Sequence, residues 1–176
     1  MTIEEYAALA QRTASTKTAQ DKIGHGCLGL IGEAGEIVDI IKKQKYMGMP
    51  EELAREKLID EAGDFAWYLV ELCTGLDLDV EETFIRAAKW NTDNETVEEA
   101  AADLAVFAST MYDGDLERMT EICRRDTEET VTCYLDLLNF AKIDVQEVLT
   151  HNIEKLKKRY PEGFDAERSN GRYKNE

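Results

Sequence analysis

The chain has 176 residues, 33% of them charged, and a formal net charge of −16 at pH 7. That length suits one compact core, and so acidic a balance argues against nucleic acid or an anionic membrane as partner. Only 2 Pro and 11 Gly favour helix, and neither an apolar run of about 18 residues nor a basic-then-apolar leader suggests insertion or export.

Taken in order, Thr2 and Glu5 make a capping box ahead of Tyr6 and Leu9. A polar stretch from Ser15 to Lys22 links to a long helix predicted from about Ile23 to Tyr46. Gly48-Met49-Pro50 breaks it, and a second long helix is expected from about Glu51 to Thr74, stopping at Gly75. Asp79 with Glu82 caps a helix to about Asn91, and Thr96 with Glu99 caps another to about Tyr112. After the Asp113-Gly114 turn, helical periodicity runs from Leu116 through Leu138 and restarts at Asp144 with Glu147. No segment alternates with period two for long enough to be a strand, so the expected fold is an all-α helical bundle. Cys27, Cys73, Cys123 and Cys133 have no Cys-x-x-Cys spacing and sit among apolar residues, as reduced core positions of a cytoplasmic protein do.

The most informative motif is Glu33-Ala34-Gly35-Glu36, repeated almost unchanged as Glu61-Ala62-Gly63-Asp64. Residues three apart share a helix face, so each copy sets two carboxylates side by side. The first pair shares its face with Leu30, Ile37 and Ile40, the second with Leu58, Phe65, Tyr68 and Leu72. Carboxylates within apolar stripes cost several kcal/mol each unless something positive neutralises them. A lone Glu-x-x-Glu is ordinarily a solvated face; two such motifs, each with a helix-weakening glycine, point elsewhere. Gly35 and Gly63 are expected to let two backbones approach, so that Glu33, Glu36, Glu61 and Asp64 meet around shared ions. Oxygen-only ligands at this density suit Mg²⁺, with Mn²⁺ as the alternative.

A basic cluster follows late in the chain: Asn152, Lys155, Lys157, Lys158 and Arg159, with Arg168 and Arg172 beyond. Cations near a helix C-terminus are favoured by its dipole, which accounts for Lys157 and Lys158. Asn152, Lys155 and Arg159 recur at three- and four-residue steps on one face, as a polyphosphate would require. There is also a faint repeat. Trp67-Tyr68-Leu69 and Leu72, then Asp79-Val80 and Glu82, resemble Cys133-Tyr134-Leu135 and Leu138, then Asp144-Val145 and Glu147, 66 and then 65 residues on. Chance likeness between amphipathic helices is the alternative.

Glu33-x-x-Glu36, a 24-residue gap, Glu61-x-x-Asp64, then Asn152-x-x-Lys155-x-x-x-Arg159-Tyr160-Pro161 resembles the MazG-type all-α nucleoside triphosphate pyrophosphohydrolases. The likeness covers residues 1 to about 92 and about 143 to 172. Leu28-Gly29-Leu30-Ile31-Gly32-Glu33-Ala34-Gly35-Glu36 and Arg159-Tyr160-Pro161-Glu162-Gly163-Phe164 are close to the family's typical wording. The resemblance implies that the quartet binds Mg²⁺ and that water attacks the α-phosphorus, releasing monophosphate and pyrophosphate. Some members carry an extra Glu where this chain has Gly32, which leaves the general base open between Glu33 and Glu36. Lys155 and Arg159 would hold the outgoing pyrophosphate, with Asn152 as a positioning donor; His25, two turns before Glu33, is a candidate to face the substrate, although a boundary position is the more ordinary use of such a histidine. Lys42 and Lys43 are further candidates for phosphate, and Trp67 and Tyr68 for the base, although a solvated helix end and core packing are the ordinary uses of such residues.

The expected organisation is a single domain over 1–176, with 1–92 as the active half, 93–163 as a decayed repeat ending in a basic helix, and 164–176 as a tail. A homodimer or higher homo-oligomer is expected, with the site composed within one chain or across a dimer. Gly24-His25-Gly26-Cys27-Leu28-Gly29 matches a dinucleotide fingerprint in letters only, since no strand precedes it. The competing class is a non-catalytic helical adaptor or nucleotide sensor that retains the metal residues.

Overall fold

The computed structural model describes residues 1–165, and these form seven helices and no strand. Arg168 and Arg172 lie outside the described residues. Helix α1 (Ile3–Gln11) opens with the expected capping box of Thr2 and Glu5. Helix α2 (Ala19–Met47) starts four residues before the expected Ile23. Thr18 is the reason: its hydroxyl accepts from the Asp21 amide, capping the polar stretch into helix. Gly48, at φ 74°, ends α2 in the left-handed conformation.

Helix α3 (Glu51–Leu76) runs through Gly75 rather than stopping there. Asp77, at φ 54°, turns the chain instead. Gly75 serves close packing, since a Cβ there would lie 2.9 Å from Lys22 Cβ and 3.0 Å from the Ala19 carbonyl. Helix α4 (Val80–Ala87), capped by Asp79, ends short of the expected Asn91. Helices α5 (Val97–Thr110), α6 (Leu116–Phe140) and α7 (Val145–Arg159) follow, capped by Thr96, Asp115 and Asp144.

The long hairpin α2–α3 packs against α5 and α6, and one core runs through all of them. Leu30, Ile37, Phe65, Leu69, Leu72, Leu104, Leu137 and Leu149 are fully buried in it. The short helices are exchanged: α4, which follows α3, packs mainly on α6, and α7, which follows α6, packs mainly on α3. This exchange brings the basic face of α7 onto the acidic motif of α3. The four cysteines are buried free thiols, with Cys27 Sγ on α2 only 3.3 Å from Cys123 Sγ on α6. No helix among the described residues is long and apolar enough to cross a membrane.

Candidate metal centre and cleft

Helix periodicity sets Glu33 on the edge of the buried stripe of α2, and the hairpin brings it opposite Glu61 and Asp64 of α3. One carboxylate oxygen from each lies within 4.8 Å of the others, and all three residues are half-buried. Burial, with Asp64 and Glu61 close by, pushes the Glu33 carboxyl up to about 7 against the opposing pull of Lys155. Burial also raises Glu61, and Asp60 and Asp64 add to it. One ammonium, Lys155 Nζ at 2.9 Å from Asp64 Oδ2, faces these three carboxylates, and their donors are all oxygens; an excess of negative charge on oxygen ligands fits a hard divalent cation. Glu36 stands apart. It is exposed and lies outside this trio, although its charge still reaches Glu33 and Glu61.

Behind Asp64 stands a relay that the sequence did not announce. Asn152, fully buried on α7, donates through Nδ2 to Asp64 Oδ1 at 2.9 Å. Its Oδ1 accepts from the Tyr6 hydroxyl at 3.0 Å, and that hydroxyl also reaches the Gly63 carbonyl at 3.3 Å. Tyr134 donates to the neighbouring Ala62 carbonyl at 3.1 Å. Two buried tyrosines from α1 and α6 thus pin the turn of α3 that carries Glu61 and Asp64. Asn152, expected as a donor to substrate, is therefore a support for Asp64. In the sequence Tyr6 stands out only as the residue after the capping box, and the fold reveals its hydroxyl's partners.

The glycines divide in the same way. Gly35 faces open space, and its expected close contact is absent. Gly63 does admit a neighbour, but it is α7: a Cβ there would lie 2.9 Å from Asn152 Cβ. The close approach of α2 to α3 falls elsewhere. At Gly26 a Cβ would lie 3.0–3.1 Å from Leu72, and at Gly29 it would overlap the Tyr68 ring at 2.1 Å.

A cleft of about 250 Å³ opens beside the carboxylates, lined by His25, Glu33, Asp64, Trp67, Tyr68 and Arg159 among others. Arg159 and His25 thus line the same cleft as Glu33 and Asp64. His25 Nδ1 is 3.6 Å from Glu71 Oε1, and its ring meets Trp67 and Tyr68 edge-on. Glu71 is wholly buried. Burial alone would raise its pKa, but His25, Thr16, Gln11 and Lys22 outweigh it and hold the carboxyl down at about 2. Trp67, which also lines the cleft, is held by its indole N–H donating to Ala10 O at 3.1 Å and Thr13 Oγ1 at 3.0 Å.

The Tyr160-to-Phe164 turn closes one end of the cleft. Phe164 donates its amide to Arg12 O at 3.3 Å, and Gly163, at φ 101°, brings the backbone close enough for this. Lys42 and Lys43 pair with Asp39 on the exposed face of α2. Against family models, curated proteins and solved structures, the chain finds no match.

Proposed function

We propose that this protein is a Mg²⁺-dependent nucleoside triphosphate pyrophosphohydrolase of the MazG type, acting on ribo- or deoxyribonucleotides in nucleotide-pool house-cleaning. The observation that carries this reading is the convergence of Glu33, Glu61 and Asp64 on one side of a cleft that Arg159 and His25 also line. A bound Mg²⁺, or Mn²⁺, would neutralise phosphate charge and activate the attacking water. Glu33, Glu61 and Asp64 would hold it, with Glu36 at the rim.

The chain's own groups account for the rest of the reaction. Water attacks the α-phosphorus as the bond to the bridging oxygen of the β-phosphate breaks, and pyrophosphate departs. Either Glu33, holding the cation loosely, or Glu36 at the rim would take the water's proton. Arg159 and Lys155 stabilise the charge that grows on the leaving pyrophosphate. Tyr68, His25 and Trp67 offer an aromatic wall to the base. All these groups belong to one chain, so the proposed homo-oligomer is not required to supply them; light scattering measures it separately.

The deciding experiment is hydrolysis of single nucleotides with Mg²⁺, following pyrophosphate, diphosphate and orthophosphate. One-step release of pyrophosphate is expected. Accumulating diphosphate would point to a phosphatase. Tight nucleotide binding without turnover would instead favour the sensor or adaptor reading.

A further inference from the structure

Lys155 is bound to two carboxylates at once, and only one of them belongs to the cation site. Its Nζ donates to Asp64 Oδ2 at 2.9 Å and to Asp60 Oδ1 at 2.5 Å, with the Asp60 carbonyl at 3.4 Å. Asp60 and Asp64 lie one turn apart on α3 and both face α7. Each Asp64 oxygen already has a donor, Asn152 on Oδ1 and Lys155 on Oδ2, and of the two only Lys155 carries a charge. A cation arriving at Asp64 therefore meets an ammonium already seated there, in a half-buried place where like charges repel more strongly than in water. Asp60 is set differently. Its side chain is 42% exposed against 25% for Asp64, and it also lies 3.3 Å from His151 Nε2.

We propose that Asp60 is a positioning residue, a second seat that keeps the Lys155 ammonium when a divalent cation takes Asp64. The inference rests on the cation-site reading given above. Lys155 need only give up one of its contacts, which a four-carbon stem with a rotating three-donor head does without moving α7. Seated on Asp60, Lys155 borders a second cleft of about 610 Å³ between α3 and α7, where Lys57, His151, Lys158 and Arg159 alternate with Glu56 and Glu154. Displacement by a cation thus shifts the ammonium off Asp64 by one helical turn and leaves it paired beside the site.

The test is Mn²⁺ titration of the metal-free full chain without nucleotide, read by electron paramagnetic resonance. Wild type, Asp60→Asn, Lys155→Met and the double variant form a cycle, with Lys155→Gln in place of Lys155→Met if the latter fails to fold. Asp60→Asn is expected to weaken Mn²⁺ binding roughly fivefold or more, because Lys155 then has Asp64 as its sole carboxylate partner in this triad. Lys155→Met should tighten binding, and in its background Asp60→Asn should have little further effect. Asp60→Glu should restore most of the wild-type affinity. Equal weakening by Asp60→Asn in both backgrounds would mean that Asp60 acts through its own charge alone, and would overturn the proposal. So would an unchanged Asp60→Asn affinity in a protein whose wild type binds Mn²⁺. A wild type that binds no Mn²⁺ removes the cation site itself, and this inference with it.

Discussion

At Glu33, the acidity that would serve a cation is a liability without one. Its carboxyl titrates near 7 in the fold against an ordinary value of 4.5, so the native state binds the extra proton between those values. Stability contributed at this position therefore falls as pH rises through that window. Glu33→Gln is expected to melt above wild type in chelator, with the gap opening between about pH 4.5 and 7. Excess Mg²⁺ should shrink or reverse it. A gap that does not change with pH would show that Glu33 is not under charge stress. Glu61→Gln should lower metal affinity by more than the roughly 10–100-fold typical of losing an outer partner, measured by calorimetry on a protein of unchanged helicity. The acidic quartet was legible because charges interrupted a helical apolar period. Which members converge was not: Glu36 is three residues from Glu33, and that single turn carries it from the hairpin seam into solvent. Nor could Asp60, Tyr6 or Glu71 be singled out, since their roles come from partners on other helices, far along the chain.

Between helices, the two motif glycines make opposite predictions. Gly63→Ala drives a Cβ to 2.9 Å from Asn152. It should cost about 1–3 kcal/mol as overpacking and weaken catalysis by pushing α7 off Asp64. Gly35→Ala meets nothing within 4 Å and sits in a helix interior, so it should stabilise by about 1 kcal/mol. Urea unfolding of both variants measures the contrast, and equal effects would contradict the packing described. The junction of α1, α2 and α3 makes a separate prediction through Glu71. Its pKa is depressed from 4.5 to about 2, so its contribution is complete above pH 4.5 and drains away as pH falls toward 2. The amount is about 3 kcal/mol, measurable as a steep acid limb in stability. Caps made the elements readable: Thr2, Asp79, Thr96 and Asp144 each open a helix where their side chains predict it. Ends were harder. Gly75 looked like a terminator by residue type, yet its missing Cβ serves contact with α2, a use invisible without the neighbour.

For the whole molecule, the all-α class followed from periodicity and the scarcity of proline, whereas the exchange of α4 and α7 did not. The packing does not confirm the faint repeat as a duplication; it does show that α5 and α7, both beyond residue 92, cover the long helices α2 and α3. A fragment ending at Asn91 should therefore expose the faces of α2 and α3 that α5 and α7 bury. It is expected to lose hydrolysis and to bind metal weakly, with circular dichroism and calorimetry as readouts. A fully active fragment would reduce the second half to an accessory.

The same exchange sets an order of events in time. As the chain is synthesised, α3 emerges long before α7, and the groove at Gly63 must wait for Asn152. Until then Asp64 has neither its amide donor nor Lys155 beside it. The supports of Asp64 are thus the last contacts of the centre to form, spanning 88 and 91 residues, and such distant closures are slow. A ribosome-bound intermediate would carry the carboxylates of α2 and α3 but not yet the Asn152 amide that aims Asp64.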